Sequence, residues 1–291
     1  GAIANAQSDI QVRVTPNDSS ENGSVQTTAN FSIDNQIPTI STRATSDLDG
    51  DGYIDAMHIT FSENIDDTFV AAGDFDIAGV TGEAFSSTTN SDTADDTDIY
   101  ITFTDGVLAS DSTANLTYTA GTFVDLYGNA LANNGPTAST DGAGPAIITV
   151  VAGDGVSFLA GIDDDDTVTV TFSEATNSPA IHAGNIAAAL GLNNAHAWLD
   201  GQLTITSAIW TTASVLTVTL NDGTSEPTIA VGDTITLNGT TITDGTTNGS
   251  TVASPIISGS FTTATIQFTA LTANGLESVA DPNFELTLSS V

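Results

Sequence analysis

One alternating block with a fixed ending occurs twice in this chain. Met57-His58-Ile59-Thr60-Phe61-Ser62-Glu63 and Val168-Thr169-Val170-Thr171-Phe172-Ser173-Glu174 both place apolar side chains at every second position and finish on Phe-Ser-Glu. Period-two alternation marks a strand with one buried face and one wet face. Its return far along the chain predicts two structural units built on one plan. The agreement extends beyond the block. Ile99, Ile101 and Phe103 run into Asp105-Gly106, as Leu216, Val218 and Leu220 run into Asp222-Gly223. Leu116 and Tyr118 are matched by the strand Thr234-Ile235-Thr236-Leu237, and the region of Asp125 by Thr243-Asp244-Gly245.

These patterns predict an all-β chain of tandem β-sandwich domains with partial β units at both ends. Its 291 residues suit two domains of about 100 to 120 residues plus end pieces. Residues 1–36 read as the closing strands of a sandwich, Ile10 to Val14 and Phe31 to Asp34, joined through a turn at Pro16-Asn17-Asp18-Ser19. Residues 37–143 form the first complete unit and residues 144–262 the second, with joints at 35–38 and 141–145. Residues 263–291 read as the opening strands of a further sandwich. The main departure from the plan is the alanine-rich stretch 181–199, expected to hold one short helix around 186–190, with Trp198 and Trp210 as local core.

Charge narrows the partners. The formal net charge is -34, with 2 basic residues against 36 acidic ones, and aspartate dominates the acids. Such a chain repels itself unless cations condense on it or bind specifically. It is a poor partner for nucleic acid or an anionic membrane. A solvated acidic surface suited to salty surroundings is the plain alternative to specific cation binding, and the two are compatible. The chain has no cysteine and no lysine, only Arg13 and Arg43 being basic. Disulfides and lysine isopeptide cross-links are therefore excluded, and what holds the units together is non-covalent. No apolar run approaches the length of about 20 residues that crosses a bilayer, and the opening residues show no charged or apolar leader region.

The sharpest site candidate is Asp47-Leu48-Asp49-Gly50-Asp51-Gly52-Tyr53-Ile54-Asp55. Carboxylates at alternate positions, with glycines that let the backbone curl, are what a hard oxygen-seeking cation such as Ca2+ requires. Asp47, Asp49, Asp51 and Asp55 take positions 1, 3, 5 and 9 of an EF-like loop, and Tyr53 offers the position-7 carbonyl. Position 12 is His58, not the bidentate glutamate, so a further ligand has to come from elsewhere in the fold, with Glu63 and Asp125 the candidates. Asp163 and Asp165, within Asp163-Asp164-Asp165-Asp166, are a second and less specific cation candidate, because contiguous aspartates cannot all face one ion. Asp92, Asp95, Asp96 and Asp98 read as an exposed hairpin connection.

No catalytic constellation emerges. His58, His182 and His196 lack zinc-like spacing, and no serine sits in a nucleophile elbow. Paired carboxylates arise by chance among so many acids. Asn17, Asn22, Asn30, Asn115, Asn238 and Asn248 begin N-glycosylation triplets, several of which are expected by chance in a chain this rich in serine and threonine.

The joint Ile33-Asp34-Asn35-Gln36-Ile37-Pro38-Thr39-Ile40, the strand Ile59-Thr60-Phe61-Ser62-Glu63-Asn64-Ile65 and the closing turn Asp125-Leu126-Tyr127-Gly128-Asn129-Ala130-Leu131 resemble the bacterial Ig-like repeats of large prokaryotic surface proteins. The stretch 266–288 is similar to the start of a Calx-beta-type module. The resemblance implies tandem Ig-like sandwiches at the cell surface or outside the cell, serving as a stalk, adhesin, filament or surface layer, without catalysis. Its implied partners are further copies of itself or neighbouring domains of a longer chain, with strand addition between subunits as one mode of assembly. An adhesin that binds a glycan or host protein is the rival reading, although only 6% of residues are aromatic.

Overall fold

The computed structural model describes residues 7–155, 161–223 and 225–262; the strands expected within 263–291 lie outside the described residues. Among the described residues, four short strands come first: β1 (Gln7–Ile10), β2 (Arg13–Val14), β3 (Gln26–Thr27) and β4 (Phe31–Ile33). β1 pairs antiparallel with β4, and β2 with β3. The single strand expected at 10–14 is thus divided between two ribbons, with Ile10 opposite Phe31 and Arg13 opposite Thr27. Val12, Val14, Val25 and Phe31 stay exposed, because two-stranded ribbons have no second layer to cover them.

The first unit is built from β5 (Ile40–Ser46), β6 (Tyr53–Ile54), β7 (Ala56–Phe61), β8 (Phe75–Ile77), β9 (Ala84–Phe85), β10 (Asp98–Thr102), β11 (Leu108–Ala109), β12 (Asn115–Tyr118) and β13 (Asn134–Ala138). One sheet runs β5-β7-β10-β9, a second runs β13-β12-β8, and β11-β6 forms a small ribbon. The alternating block becomes β7, whose inward Met57 and Ile59 lie opposite Ile101 and Ile99 of β10. They pack on Phe75, Ile77, Leu116 and Tyr118 of the second sheet, and Phe61 closes the end against Phe123 at 4.8 Å. Each fully buried side chain of this size contributes about 1.5–3 kcal/mol.

The second unit comprises β14 (Ile147–Gly153), β15 (Thr167–Phe172), α1 (Ile186–Ala189), β16 (Leu190–Leu192), β17 (Ser207–Thr212), β18 (Val215–Thr219), β19 (Ile235–Leu237) and β20 (Ser258–Gly259). Its main sheet runs β17-β18-β15-β14-β20, with β16-β19 as the second layer. Val168 and Val170 of β15 lie opposite Val218 and Leu216 of β18, the same pairing that β7 makes with β10. Both units also close alike. Thr140 bridges Ala44 of β5 in parallel, and Ser258 of β20 pairs Val151 of β14 in parallel. The expected short helix is α1. Trp198 is buried, donating from Nε1 to the Leu190 carbonyl at 2.6 Å, and the half-buried Trp210 packs on Phe172 at 5.5 Å.

Candidate metal centres

The acidic loop at 47–55 folds on its own carboxylates. Asp47 accepts from the backbone N–H of Gly50 through Oδ1 at 2.7 Å and of Gly52 through Oδ2 at 2.9 Å. Asp49 accepts from Asp51 N, Asp51 from Tyr53 N, and Asp55 from Leu48 N. Gly50 and Gly52 adopt φ of 76° and 99°, a region that side chains with a Cβ rarely enter. Carboxylate oxygens of Asp47, Asp49 and Asp51 converge to within 4.8 Å of one another. Asp55 is not one of this trio; its oxygen ties the far end of the loop to Leu48. Tyr53 belongs to β6, opposite Ala109 of β11. Burial raises the Asp47 carboxyl to about 6 against its two backbone N–H bonds, and Asp49 and Asp51 add like charge. Desolvation that is not balanced by a positive group is what a bound cation relieves.

The loop does not stand in open solvent. A Cβ on Gly50 would lie 2.4 Å from Cβ of Val252, and one on Gly52 would lie 2.8 Å from Cβ of Ser173 and Cγ2 of Ile148. The loop therefore sits at the seam between the two units, and its glycines stand against side chains of the second unit.

Asp163 converges with Asp154 and Asp166, whereas Asp165 is exposed at φ 76° on the turn and lies outside that cluster. The Asp166 carboxylate caps the backbone, accepting from Gly155 N at 2.7 Å and Asp163 N at 3.1 Å. Asp92, Asp96 and Asp98 form another convergent set and are half-buried rather than exposed. Asp98 pairs with His58 at 2.6 Å, and the His58 ring stacks on Tyr100 at 4.4 Å.

Glu63 and Asp125, the two residues considered as outside ligands for the 47–55 loop, converge instead on Asp34. A matching set, Asp141, Glu174 and Asp244, gathers at the next joint. Sequence reasoning identified both Phe-Ser-Glu endings and both aspartate turns without bringing them together with the linker aspartates. The signal was present in the spacing: Asp34 stands four residues before Pro38, and Asp141 four before Pro145. Burial raises Glu174 to about 7, with Asp141 adding like charge, and raises Asp141 to about 6, with Asp244 adding like charge. Glu63 is raised, chiefly by burial and then by Asp34 and Asp125. Asp244 is held low although burial opposes it, because Thr246 and Asn248 donate to both its oxygens. Every donor in these clusters is a carboxylate oxygen, the chemistry of calcium, magnesium or manganese rather than of zinc or copper.

No family model matches the chain, and no curated protein matches it. Among solved structures, the chain is similar to the N-terminal part of the bacterial S-layer protein SbsC, at 13% identity and a TM-score of 0.28, over 77% of this chain and 44% of that one. The chain thus spans less than half the length of that structure, and a superposition this loose decides neither fold nor role. Among the described residues, no helix is long and apolar enough to cross a membrane.

Proposed function

We propose that this chain is part of a structural protein of the cell surface or extracellular space: tandem Ig-like sandwiches, stiffened by Ca2+, within a filament, stalk or surface layer. The observation that carries this reading is the placement of the 47–55 loop. Its three convergent carboxylates sit on a turn whose glycines press against Val252, Ile148 and Ser173 of the following unit. A cation held there orders the turn that the second unit packs on, so binding stiffens the seam. The charge of -34 favours a salt-rich, calcium-containing medium, in which it is screened.

The exposed Val12, Val14, Val25 and Phe31 on two-stranded ribbons support a further element of the reading. Uncovered apolar strands pair with another β unit, either a second copy or a neighbouring domain of a longer chain.

Electron microscopy of particle length, run beside thermal melting in calcium, magnesium or EDTA, tests the proposal. Higher melting temperatures with longer or straighter particles in calcium are expected. Indifference of both readouts to calcium would overturn it.

A further inference from the structure

The acidic sets at the two joints are one site built twice, residue for residue. In the first, the backbone N–H of Thr39 donates to Ser62 Oγ at 3.0 Å, and Ser62 N donates to the Thr39 carbonyl at 2.9 Å. In the second, Ala146 N donates to Ser173 Oγ at 3.0 Å, and Ser173 N to the Ala146 carbonyl at 2.9 Å. These paired bonds clamp the residue after each linker proline to the serine before each glutamate. Glu63 and Glu174 are thereby fixed beside Asp34 and Asp141.

The closing turns repeat as closely. Asp125 accepts from Asn129 N and Asn129 Nδ2, each at 2.8 Å, and Asp244 accepts from Asn248 N at 2.8 Å and Asn248 Nδ2 at 2.9 Å. The same amide nitrogen then reaches the linker, donating to the Asp34 carbonyl at 3.4 Å in one case and to the Asp141 carbonyl at 3.1 Å in the other. Asn129 and Asn248 thus dock each linker aspartate over its turn.

A cluster of acids alone is common on a chain this acidic. What marks these two is an uncompensated buried oxygen. Glu174 is only 8% exposed, and its Oε1 has no hydrogen-bond partner. Asp141 and Glu63 are half-buried, but the atoms Asp141 Oδ1 and Glu63 Oε1 are shielded from solvent and unpartnered. Three carboxylates with oxygens within 4.8 Å of one another, in a chain where the two arginines are the only permanent side-chain cations, leave a buried anionic centre that no side-chain cation answers. Uncompensated charge shielded from water is strongly unfavourable, and a divalent ion supplies the missing charge together with the missing ligand bonds. At the first joint Asp34 and Glu63 line a cleft of ≈ 330 Å³ bordered by Gln36 and Tyr127, room for the waters that complete a calcium shell.

We infer that each joint binds one divalent cation, Ca2+ by preference, through the linker aspartate, the strand-end glutamate and the closing-turn aspartate: Asp34, Glu63 and Asp125 at the first, Asp141, Glu174 and Asp244 at the second. The linker residue comes from the segment leaving one unit, and the other two belong to the unit it enters. The ion therefore fixes the angle between successive units. This inference rests on the calcium reading above and locates the stiffening in the joints themselves, separately from the 47–55 loop.

The test is calcium titration of the full chain by calorimetry, with Glu174→Gln, Glu63→Gln and the loop variant Asp49→Asn/Asp51→Asn in parallel, and circular dichroism to verify folding. Each glutamine variant should lose one ion from the stoichiometry, or bind it at least tenfold more weakly, while the loop variant keeps both joint ions. Terbium luminescence measured in the Asp49→Asn/Asp51→Asn background, where Tyr53 no longer has an ion beside it, gives a second readout through Tyr127, expected to persist in that background and to be lost when Glu63→Gln is added. A wild-type chain that binds calcium with the same stoichiometry and affinity in both glutamine variants overturns the joint sites and leaves the calcium reading standing. A wild-type chain that binds no calcium overturns both.

Discussion

Gly52 and Ser173 meet across the seam between the units: a Cβ on Gly52 would stand 2.8 Å from Cβ of Ser173, whose hydroxyl accepts from Ser110 Oγ at 2.9 Å and from Ala146 N at 3.0 Å. Gly52 and Ser110 of the preceding unit and Ala146, just after the linker proline, thus meet at a single serine. The loop, the linker and the Phe-Ser-Glu strand end are parts of one contact.

Gly52→Ala brings both a φ of 99° that alanine resists and a collision with the neighbouring unit. We expect a loss of about 1–3 kcal/mol in urea unfolding. Gly106→Ala, at φ 77° with nothing within 4 Å, is the control and should cost only the backbone part, about 1–2 kcal/mol. Equal losses would mean that the seam contributes nothing.

The two cores rest on the alternating blocks. Ile59→Ala in the first unit and Val170→Ala in the second each remove a fully buried side chain, and large-to-small changes of this kind cost about 2–5 kcal/mol for isoleucine and somewhat less for valine. Ile209, 59% exposed on β17, should tolerate alanine within about 0.5 kcal/mol. Chemical denaturation of the three variants in calcium-saturated buffer checks the ranking.

Burial also sets the pH response without metal. Glu174 is raised to about 7, and Asp47, Asp67 and Asp141 to about 6, in every case chiefly by desolvation. Between the ordinary carboxylate range and these values the folded chain holds protons that the unfolded chain releases, so stability falls as pH rises through that window. In EDTA, melting temperatures should therefore decline from about pH 4.5 to 7 and level off above it. A cation competes with those protons, so saturating calcium should flatten the decline. A melting temperature that climbs with pH in EDTA contradicts the assignment.

How much of this was legible beforehand follows from the kind of signal each feature leaves. Met57, Ile59 and Phe61, and Val168, Val170 and Phe172, state their buried face in the sequence, since alternation is local; the all-β character followed from them. The convergence of Asp47, Asp49 and Asp51 was legible for the same reason, their spacing being contained in one turn. Asp55 and Asp165 were assigned to sites by spacing alone, and the structure turns one to Leu48 and the other to solvent. The joint clusters left in the sequence only the matched Asp-to-Pro spacing of the two linkers, because Asp141, Glu174 and Asp244 come from a linker, a strand end and a turn far apart in the chain. Only strand pairing, of β14 with β15 and of Thr140 with Ala44, carries them to one place. The division of residues 10–14 between two ribbons was hidden because alternation names a face and not a partner.

The central claim is that calcium fixes the angle between units. The chain contains no cysteine, so spin labels introduced through Ala84→Cys on β9 and Thr211→Cys on β17, both exposed and in different units, report one distance between the two sandwiches by pulsed electron paramagnetic resonance. A narrow distance distribution in calcium that broadens in EDTA, and also in calcium when Glu174→Gln is added, is the predicted result. Identical distributions with and without bound calcium would contradict it.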